Sequence, residues 1–265
     1  MIIAPIAKRV FSSGKTVYKQ FIPDMSLQYT TERFDELKFN VTSINEKVNA
    51  ASEGKTRLVC VSKLKPASDI QALYDMGYRH FGENYVQELI EKAKELPKDI
   101  AWHFIGGLQT NKCKDLAKNI PNLYAVETID TIKKAKKLND TRSQTEFGKV
   151  GIFIQVNTSG EDQKSGISPD ELSDLVKIVV TECPQLELKG LMTIGSYAAS
   201  YGEGQNPEFA VLVQCKQKVE SEFSLSGLQL SMGMSGDFLQ AINQGSTSVR
   251  VGSSIFGSRP PNNGH

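Results

Sequence analysis

The sequence predicts a single (β/α)8 barrel, and three observations lead to this prediction. Short apolar runs typical of buried strands alternate with helical segments along most of the chain. Eight such runs can be counted, which is the number of strands in this fold. The chain has 265 residues and no internal linker, so one core of ordinary size is expected. An open doubly wound sheet stays as the alternative, because counting elements does not show closure.

The first predicted element is an extra amphipathic helix that precedes the first strand. Between Thr31 and Ala51, apolar side chains recur at steps of three and four residues, as they do on one face of a helix. Strands and helices then alternate. The first four predicted strands are Leu58 to Lys63, His80 to Glu83, Ala101 to Ile105 and Leu123 to Glu127, and the helices after them run from Pro66 to Gly77, from Asn84 to Leu96, from Thr110 to Lys118 and from Asp130 to Asn139.

The second half of the chain continues the alternation with longer loops. A strand from Val150 to Val156 leads into a polar loop, and Ser168 to Glu171 then form a capping-box pattern that opens a helix through Val180. The remaining predicted elements are strands Leu186 to Ile194, Leu228 to Met232 and Ser248 to Val251, a loose loop from Gly195 to Asn206, a helix near Pro207 to Phe223 and a short helix containing Phe238, Ala241 and Ile242.

Composition and charge favour a small molecule as the partner. Lysine and arginine number 31 against 30 acidic residues, so no global field favours nucleic acid or a membrane surface. No apolar run has the length of a membrane span. The four cysteines lie far apart without paired spacing, which argues against disulfides or a zinc site and favours a reducing compartment. We therefore expect no nucleic acid, no membrane and no metal as partners.

The amino-terminal residues differ from the rest of the chain. Residues 1–23 carry four basic residues and no acid before Asp24, which resembles a mitochondrial presequence. A disordered basic tail is an equally weighted interpretation. We therefore separate residues 1–24, as tail or presequence, from the barrel of residues 25–265. Met25 could serve as an internal start, so we expect a cytoplasmic protein that is also mitochondrial if residues 1–24 act as a presequence.

Two features suggest a pyridoxal phosphate site. Lys63 closes the apolar run of the first strand, and a lysine amine forms a Schiff base with an aldehyde. The last strand runs into Gly252 and Ser253, a glycine turn whose backbone N–H groups can surround a phosphate. Closure would place this turn beside Lys63, and Ser235 follows the seventh strand, where barrel phosphate sites often form.

Each feature also has a purely structural interpretation. A lysine near a strand end is in general a solvated charge, as we expect for Lys65. Gly252 could simply supply a positive φ in a tight turn. The combination of an amine with an anion-binding turn is more specific than either part.

Six motifs spread over the chain carry a family resemblance. They are Val61 to Pro66, Phe81 to Glu88, Trp102 to Gly106, Gly190 to Ile194, Ser231 to Ser235 and Val249 to Gly252. Together they resemble the pyridoxal phosphate homeostasis protein family, relatives of the alanine racemase amino-terminal barrel. The resemblance extends from about Leu58 to Arg259, and it implies a monomeric barrel of the alanine racemase amino-terminal type.

The resemblance also implies a set of cofactor contacts. Lys63 would hold pyridoxal phosphate as a Schiff base, and Ser235 with the backbone of Gly252 and Ser253 would take the phosphate. Arg250 would face the pyridine nitrogen, where a permanently charged guanidinium disfavours protonation and weakens the ring as an electron sink. The implied cofactor-binding residues are Lys63, Asn84, Ser235, Arg250, Gly252 and Ser253, with no catalytic residue among them.

Several side chains carry two interpretations. Asn84 is expected to contact the cofactor ring or its hydroxyl, and the alternative is a helix N-cap. His103 is favoured as a hydrogen-bonded core histidine over a catalytic one. Lys164 could receive the aldehyde during transfer, but a surface lysine is the safer interpretation. The lysines between Lys133 and Lys137 are expected to form a solvated helix face.

The function expected from these features is a carrier that keeps pyridoxal phosphate available without dedicated turnover, in vitamin B6 homeostasis, with apo pyridoxal-phosphate enzymes as further partners. The rival is a racemase-like or aldol enzyme in which Tyr85 or Tyr197 supplies a base. Only 15 residues follow Arg250, so we expect no second domain of the kind that completes a racemase. A barrel that binds another phosphorylated ligand is the third alternative.

Overall fold

The eight strands of the computed structural model form a closed parallel barrel in sequence order, from β1 through β8. The structure describes residues 26–161, 163–196 and 204–258. β1 pairs with β8 in parallel, with Arg57 opposite Ser248 and Cys60 opposite Val251. The predicted barrel is confirmed, and the open sheet is excluded. The strands are β1 (Arg57–Val61), β2 (His80–Glu83), β3 (Ala101–Phe104), β4 (Leu123–Ile129), β5 (Val150–Gln155), β6 (Leu186–Met192), β7 (Gln229–Ser231) and β8 (Ser248–Val251).

Helices follow the strands on the outside of the barrel, and one helix precedes them as predicted. They are α1 (Thr31–Ser52), α2 (Ala67–Asp75), α3 (Val86–Glu95), α4 (Cys113–Asn119), α5 (Ile132–Arg142), α6 (Leu172–Glu182), α7 (Pro207–Phe223), α8 (Phe238–Asn243) and α9 (Ser253–Phe256), with a 3-10 turn at Thr110–Lys112 before α4. One of the two capping-box contacts forms, since the backbone N–H of Glu171 donates to Ser168 Oγ at 3.4 Å, while Ser168 Oγ donates to Glu171 Oε2 at 2.8 Å. It lies in a turn ahead of the helix, however, because α6 begins at Leu172.

The barrel separates an outer apolar layer from a partly polar interior. Successive side chains of a strand point to opposite faces. In β3, Trp102 and Phe104 therefore pack outward in the main apolar core, while His103 points inward. Ala125, Phe153 and Met192 form a small apolar cluster of their own, apart from that core. Other interior positions, among them those of His103, Glu127, Ser231 and Arg250, carry buried polar side chains, and these lead toward the carboxyl ends of the strands.

The leading helix α1 supports the carboxyl-terminal end of the barrel. Arg33 binds both carboxylate oxygens of the buried Asp69 on α2, at 3.0 and 2.6 Å. Arg33 also donates to the backbone oxygen of Phe256 at 3.0 Å, and Asn40 donates to that of Ile255 at 3.0 Å. α1 therefore holds α9, the short helix that follows Gly252, against the barrel.

The described residues also bear on membranes, metals and cysteines. None of the helices among them is both long and apolar enough to cross a membrane. Within the same residues, no group of three or more histidine, cysteine or acidic side chains is arranged to hold a metal ion. All four cysteines are free and buried.

Candidate functional site

A cavity of about 340 Å³ lies at the carboxyl ends of the strands. This volume is within the range of roughly 300–1,000 Å³ that is usual for small-molecule sites. The structure brings all six predicted site residues to its wall. The lining residues are Val61, Lys63, Lys65, Asn84, Ile105, Ile194, Met234, Ser235, Gly236, Arg250, Gly252, Ser253 and Gly257.

Lys63 lies in the turn that follows β1, two residues beyond the end of the strand. Its side chain is partly exposed and reaches the cavity. Leu64 follows it with a φ of 60°, in the left-handed region that residues other than glycine seldom adopt. The amine is thus presented by a tight turn and not by the strand itself.

A group of hydrogen-bond donors, which we call the donor cradle, lines part of the cavity. It consists of Ser235, Gly236, Gly252 and Ser253. The backbone N–H of Gly252 and the hydroxyl of Ser253 both lie 3.4 Å from Ser235 Oγ. The hydrogen-bond ladder of α9 starts only at Ile255, so the N–H of Ser253 precedes it and has no acceptor within this helix. These donors together suit a phosphate group.

Gly252 lines the cavity as predicted, but the structural alternative for this residue is wrong. Its φ is −121°, so it does not supply a positive φ in a tight turn. A Cβ at this position would instead lie 3.2 Å from both Cβ and the backbone oxygen of Val61. A side chain here would press on Val61, so glycine lets the end of β8 approach β1 closely. This approach holds the donor cradle near the turn that carries Lys63.

Asn84 contributes an acceptor to the cavity wall. Its Oδ1 is buried and has no hydrogen-bond partner within the described part of the chain. The alternative role as a helix cap is wrong, because α3 begins at Val86 with Tyr85 as N-cap and without a capping side chain. A buried acceptor without a partner is costly. A hydroxyl or N–H group of a bound ligand would satisfy it, so the residues present fit pyridoxal phosphate.

Arg250 belongs to a line of polar side chains, which we call the polar column: His80, His103, Glu127, Ser231 and Arg250. All of them are buried except His80, which is half-buried. Arg250 donates to Ser231 Oγ at 2.6 Å and to the backbone oxygen of Thr193 at 2.9 Å. Ser231 donates in turn to Glu127 Oε2 at 2.5 Å, and the guanidinium lies 3.9 Å from this carboxylate. Burial lowers the pKa of Arg250, and the charge of Glu127 opposes that effect. The guanidinium therefore keeps a fixed position and a nearby counter-charge.

His103 continues the polar column toward the other end of the barrel. Its Nδ1 lies 2.6 Å from Glu127 Oε1, and its Nε2 lies 2.9 Å from Nδ1 of His80. The prediction of a hydrogen-bonded core histidine is confirmed. Burial alone would raise the pKa of Glu127, but the His103 hydrogen bond and the charges of His103 and Arg250 hold it below its ordinary value. Burial, with the charge of His103, lowers the pKa of His80 to about 3.

Sequence reasoning missed Glu127 and Ser231. A usable signal existed for Glu127, because strand alternation places it on the same inward face as Ala125.

Lys65 was misjudged as a solvated charge. It is buried, lines the cavity and donates to the backbone oxygen of Ser258 at 2.7 Å. The turn after β1 folds its side chain inward.

Two other candidates, Lys164 and Tyr85, do not line the cavity. Lys164 pairs with Glu161 Oε1 at 2.8 Å; its side chain is partly exposed, but its Nζ is buried, so it is not the solvated charge expected of a surface lysine. Tyr85 is 52% exposed. Tyr197, the second tyrosine considered as a base, lies outside the described residues.

Comparison with known proteins identifies the family. The family model described as alanine racemase, N-terminal domain, matches residues 33–260. A pyridoxal phosphate homeostasis protein of Schizosaccharomyces pombe is 48% identical over 218 residues, which are 82% of this chain and 90% of that relative. The chain belongs to the pyridoxal phosphate homeostasis protein family. The family match begins within α1, further toward the amino terminus than the motifs near Leu58.

Solved structures agree with this family and its fold. PipY of Synechococcus elongatus PCC7942, solved with PLP bound, is 28% identical with a TM-score of 0.71, over 83% of this chain and 100% of that chain. Alanine racemase of Clostridium difficile 630 is 15% identical with a TM-score of 0.66, over 87% of this chain and 59% of that chain. The latter likeness shows the barrel fold alone.

Gly106 lies where a side chain would distort the site. A Cβ on Gly106 would lie 2.0 Å from the backbone oxygen of Asn84 and 2.7 Å from its Cα. We expect Gly106→Ala to destabilise the fold by about 1–3 kcal/mol. Because the backbone of Asn84 must move, we also expect pyridoxal phosphate to bind about tenfold more weakly. Urea unfolding and a binding titration measure the two effects.

Two other glycines supply controls for Gly106. A Cβ on Gly190 would lie equally close, 2.0 Å, to the backbone oxygen of Gln229, between β6 and β7 and away from the cavity wall. Gly190→Ala should therefore lower stability and leave the affinity of the folded protein unchanged. Gly107 has open space at the Cβ position, so Gly107→Ala should change neither. Equal affinity for Gly106→Ala and Gly190→Ala would contradict a role of Gly106 in placing Asn84.

Proposed function

We propose that this protein binds pyridoxal phosphate as a Schiff base on Lys63 and holds it available for other proteins, without dedicated turnover. One observation carries the proposal. An amine, a donor cradle and an acceptor without a partner converge on one cavity of suitable size. The names of the relatives and the PLP bound to PipY support this ligand.

The predicted site residues each have a role in the proposal. Ser235 and the backbone of Gly252 and Ser253 bind the phosphate through neutral donors. Lys63 supplies the nucleophilic amine, and Asn84 accepts a hydrogen bond from the ligand. When bound, the cofactor supplies an aldehyde and a ring that can withdraw electrons.

The position of Arg250 is the reason why we propose a carrier and not an enzyme. The guanidinium is held by Ser231 and Thr193 and has Glu127 as its counter-charge. We place it at the ring nitrogen, where a fixed positive charge disfavours protonation. A ring that stays unprotonated stabilises carbanions poorly, so the site suits storage of the aldehyde better than chemistry at an α-carbon.

The cavity mouth suits delivery to another protein. Three large apolar side chains are exposed at or beside it: Tyr85 at 52%, Ile194 at 45% and Met234 at 36%. Apolar side chains that cluster on a surface in this way often mark an interaction site. We propose that apo pyridoxal-phosphate enzymes dock here during transfer, and that the free protein is a monomer. Faster activation of an apo-enzyme by the loaded wild type than by a Met234→Asp variant would support this; equal rates would contradict it.

We further propose a cytoplasmic protein with a mitochondrial fraction directed by residues 1–24. These residues lie outside the described part of the chain. The basic composition of the segment is the support for this proposal. Cell fractionation with and without residues 1–24 tests it, since an unchanged distribution would contradict the mitochondrial fraction.

The central proposal is tested by intact mass after borohydride reduction, followed by peptide mapping. We expect one added pyridoxyl phosphate group, on the peptide that contains Lys63. No added mass, or an added group on another lysine, would contradict the proposal.

The racemase-like alternative requires a separate measurement. Purified, loaded protein is incubated with several L-amino acids in deuterated water, and loss of the α-proton is followed by NMR. A carrier should show no exchange above that of free pyridoxal phosphate. Exchange at about 1 s⁻¹ or faster, in the range of ordinary enzymes, would replace the carrier proposal with an enzymatic one.

A further inference from the structure

Three buried charged side chains, Glu83, Glu88 and Lys92, lie directly beneath the turn that carries Lys63. We call them the buried triad. Lys92 Nζ lies 2.8 Å from Glu83 Oε1 and 2.7 Å from Glu88 Oε1. The exposed fractions of the three side chains are 0%, 5% and 0%. The residues come from β2 and α3, and none of them lines the cavity.

The buried triad binds the residues on both sides of Lys63. Lys92 Nζ donates to the backbone oxygen of Ser62 at 2.9 Å, and Ser62 Oγ donates to Glu83 Oε1 at 2.6 Å. The backbone N–H of Leu64 donates to Glu88 Oε1 at 2.7 Å. Lys63 is the single residue between these two attachment points. The triad therefore determines the path of the backbone through Lys63, including the left-handed φ of Leu64.

The two carboxylates are arranged so that the hydrogen bonds to Ser62 and Leu64 persist when Glu83 gains or loses a proton. All the hydrogen bonds above that reach a carboxylate use Oε1, while Oε2 of both glutamates is buried without a partner among the residues that the structure describes. Burial raises the pKa of Glu83 to about 7, although the charge of Lys92 opposes the rise. A proton on Oε2 of Glu83 would balance the charge of the triad and leave every bond at Oε1 in place.

Fold stability is a weak explanation for such a cluster. Apolar residues of similar volume often replace a buried ion triad without loss of stability, because desolvating the charges cancels much of their attraction. A catalytic or binding side chain, in contrast, must be held close to its productive position by surrounding hydrogen bonds. The two attachments to the backbone around Lys63 match the second requirement.

We propose that the buried triad positions Lys63 and thereby sets the rate at which its amine condenses with an aldehyde. This inference rests on the proposed function. In the condensation, Lys63 Nζ in its free-base form adds to the aldehyde carbon. A C=N bond forms, and the aldehyde oxygen leaves as water with two protons from the nitrogen. Glu83, Glu88 and Lys92 are positioning residues and do not touch the reacting atoms.

Two variants of Glu88 distinguish an effect on the position of Lys63 from an effect on core packing. Glu88→Gln keeps an oxygen at Oε1 that can accept from Leu64 and Lys92, whereas Glu88→Leu removes this acceptor at similar volume. We expect Glu88→Leu to slow imine formation at Lys63 by about tenfold or more, because small misplacements of a reacting group have large effects on rate. Glu88→Gln should restore most of the wild-type rate. The rate is followed by imine absorbance between pH 6 and pH 9, with both pyridoxal phosphate and pyridoxal.

Pyridoxal has no phosphate and therefore does not use the donor cradle. If the triad acts through the amine, Glu88→Leu should slow imine formation by the same factor with pyridoxal and with pyridoxal phosphate. Arg142→Leu is the matched control. This buried arginine donates to the backbone oxygens of Ala117, Ile120 and Gly148, away from the turn that carries Lys63. Its loss should therefore lower the stability of the fold and leave the rate of imine formation unchanged.

The outcomes are distinct. Equal rates for Glu88→Leu and the wild type, or equal slowing by Glu88→Leu and Arg142→Leu, would overturn the inference. If Glu88→Leu does not fold, Ser62→Ala removes a single bond to the triad and should slow the reaction several-fold; an unchanged rate would again overturn the inference. A wild type that forms no imine at Lys63 would instead refute the proposed function.

Discussion

Replacing Lys63 with alanine is expected to abolish covalent attachment of pyridoxal phosphate. Lys63 lines the same cavity as the donor cradle and Asn84, whose Oδ1 has no partner in the described part of the chain. Without the Lys63 amine, the phosphate can still bind to Ser235 and the amides of Gly252 and Ser253, so the affinity should fall while the site persists. The imine absorbance should disappear, and borohydride should fix no added mass.

The controls for Lys63→Ala test whether the effect belongs to this one amine. Lys136→Ala removes an exposed lysine that pairs with Glu182 on the outside of the barrel, and it should leave attachment unchanged. Lys65 lines the same cavity, so peptide mapping of the wild type must distinguish the two amines. Attachment that persists in Lys63→Ala at the wild-type level would show that Lys65 or another lysine forms the bond.

Replacing Glu127 with leucine is expected to destabilise the fold by about 3–5 kcal/mol, since it leaves a buried charge without its partner. Glu127 accepts from His103 and Ser231 and lies 3.9 Å from Arg250. Its loss leaves the guanidinium inside the barrel with two neutral acceptors. Urea unfolding of the protein without ligand measures the difference in stability.

The effect of Glu127→Leu should depend on pH in a defined direction. The pKa of Glu127 in the folded protein is lower than its ordinary value of 4.5. The carboxylate therefore contributes its full stabilisation above pH 4.5, and the contribution is lost as the pH falls through the folded pKa. The difference between wild type and variant should accordingly shrink on acidification below pH 4.5.

Glu187→Ala supplies the control, because Glu187 forms an exposed pair with Lys189 and its loss should cost at most about 1 kcal/mol. Equal stability of Glu127→Leu and Glu187→Ala at pH 7 would show that the polar column does not hold Arg250 in the way described here.

The architecture of this chain could be predicted because its signals are local. The spacing of apolar residues marks α1 and the eight strands, and each lies within a window that the sequence displays directly. The positions of Lys63 and Gly252 relative to their strands then place them together, because β1 and β8 are neighbours in a closed barrel. The order and number of the strands were sufficient to place Lys63 near Gly252.

The structural constraints on several residues could not be predicted from local sequence signals. For Gly252, the structural alternative was a turn with positive φ, but the actual constraint is the approach of Val61 from the other end of the chain. For Asn84, the alternative was a helix cap, but α3 starts two residues later with Tyr85 as its N-cap. Lys65 suggested a solvated charge, but its amine donates to the backbone oxygen of Ser258 at the cavity wall. The errors on Gly252 and Lys65 concern partners that are distant in the sequence.

The sequence by itself determined the barrel, the order of its elements and the amine and glycine turn of the site, because periodicity and strand ends are properties of neighbouring residues. Only the tertiary structure decided how the amine is held and how Arg250 is balanced. Glu83, Glu88 and Lys92 meet beneath Lys63, and Glu127 meets Ser231 across the barrel, only after closure. Burial then decides which charges need partners, and burial is a property of the folded chain.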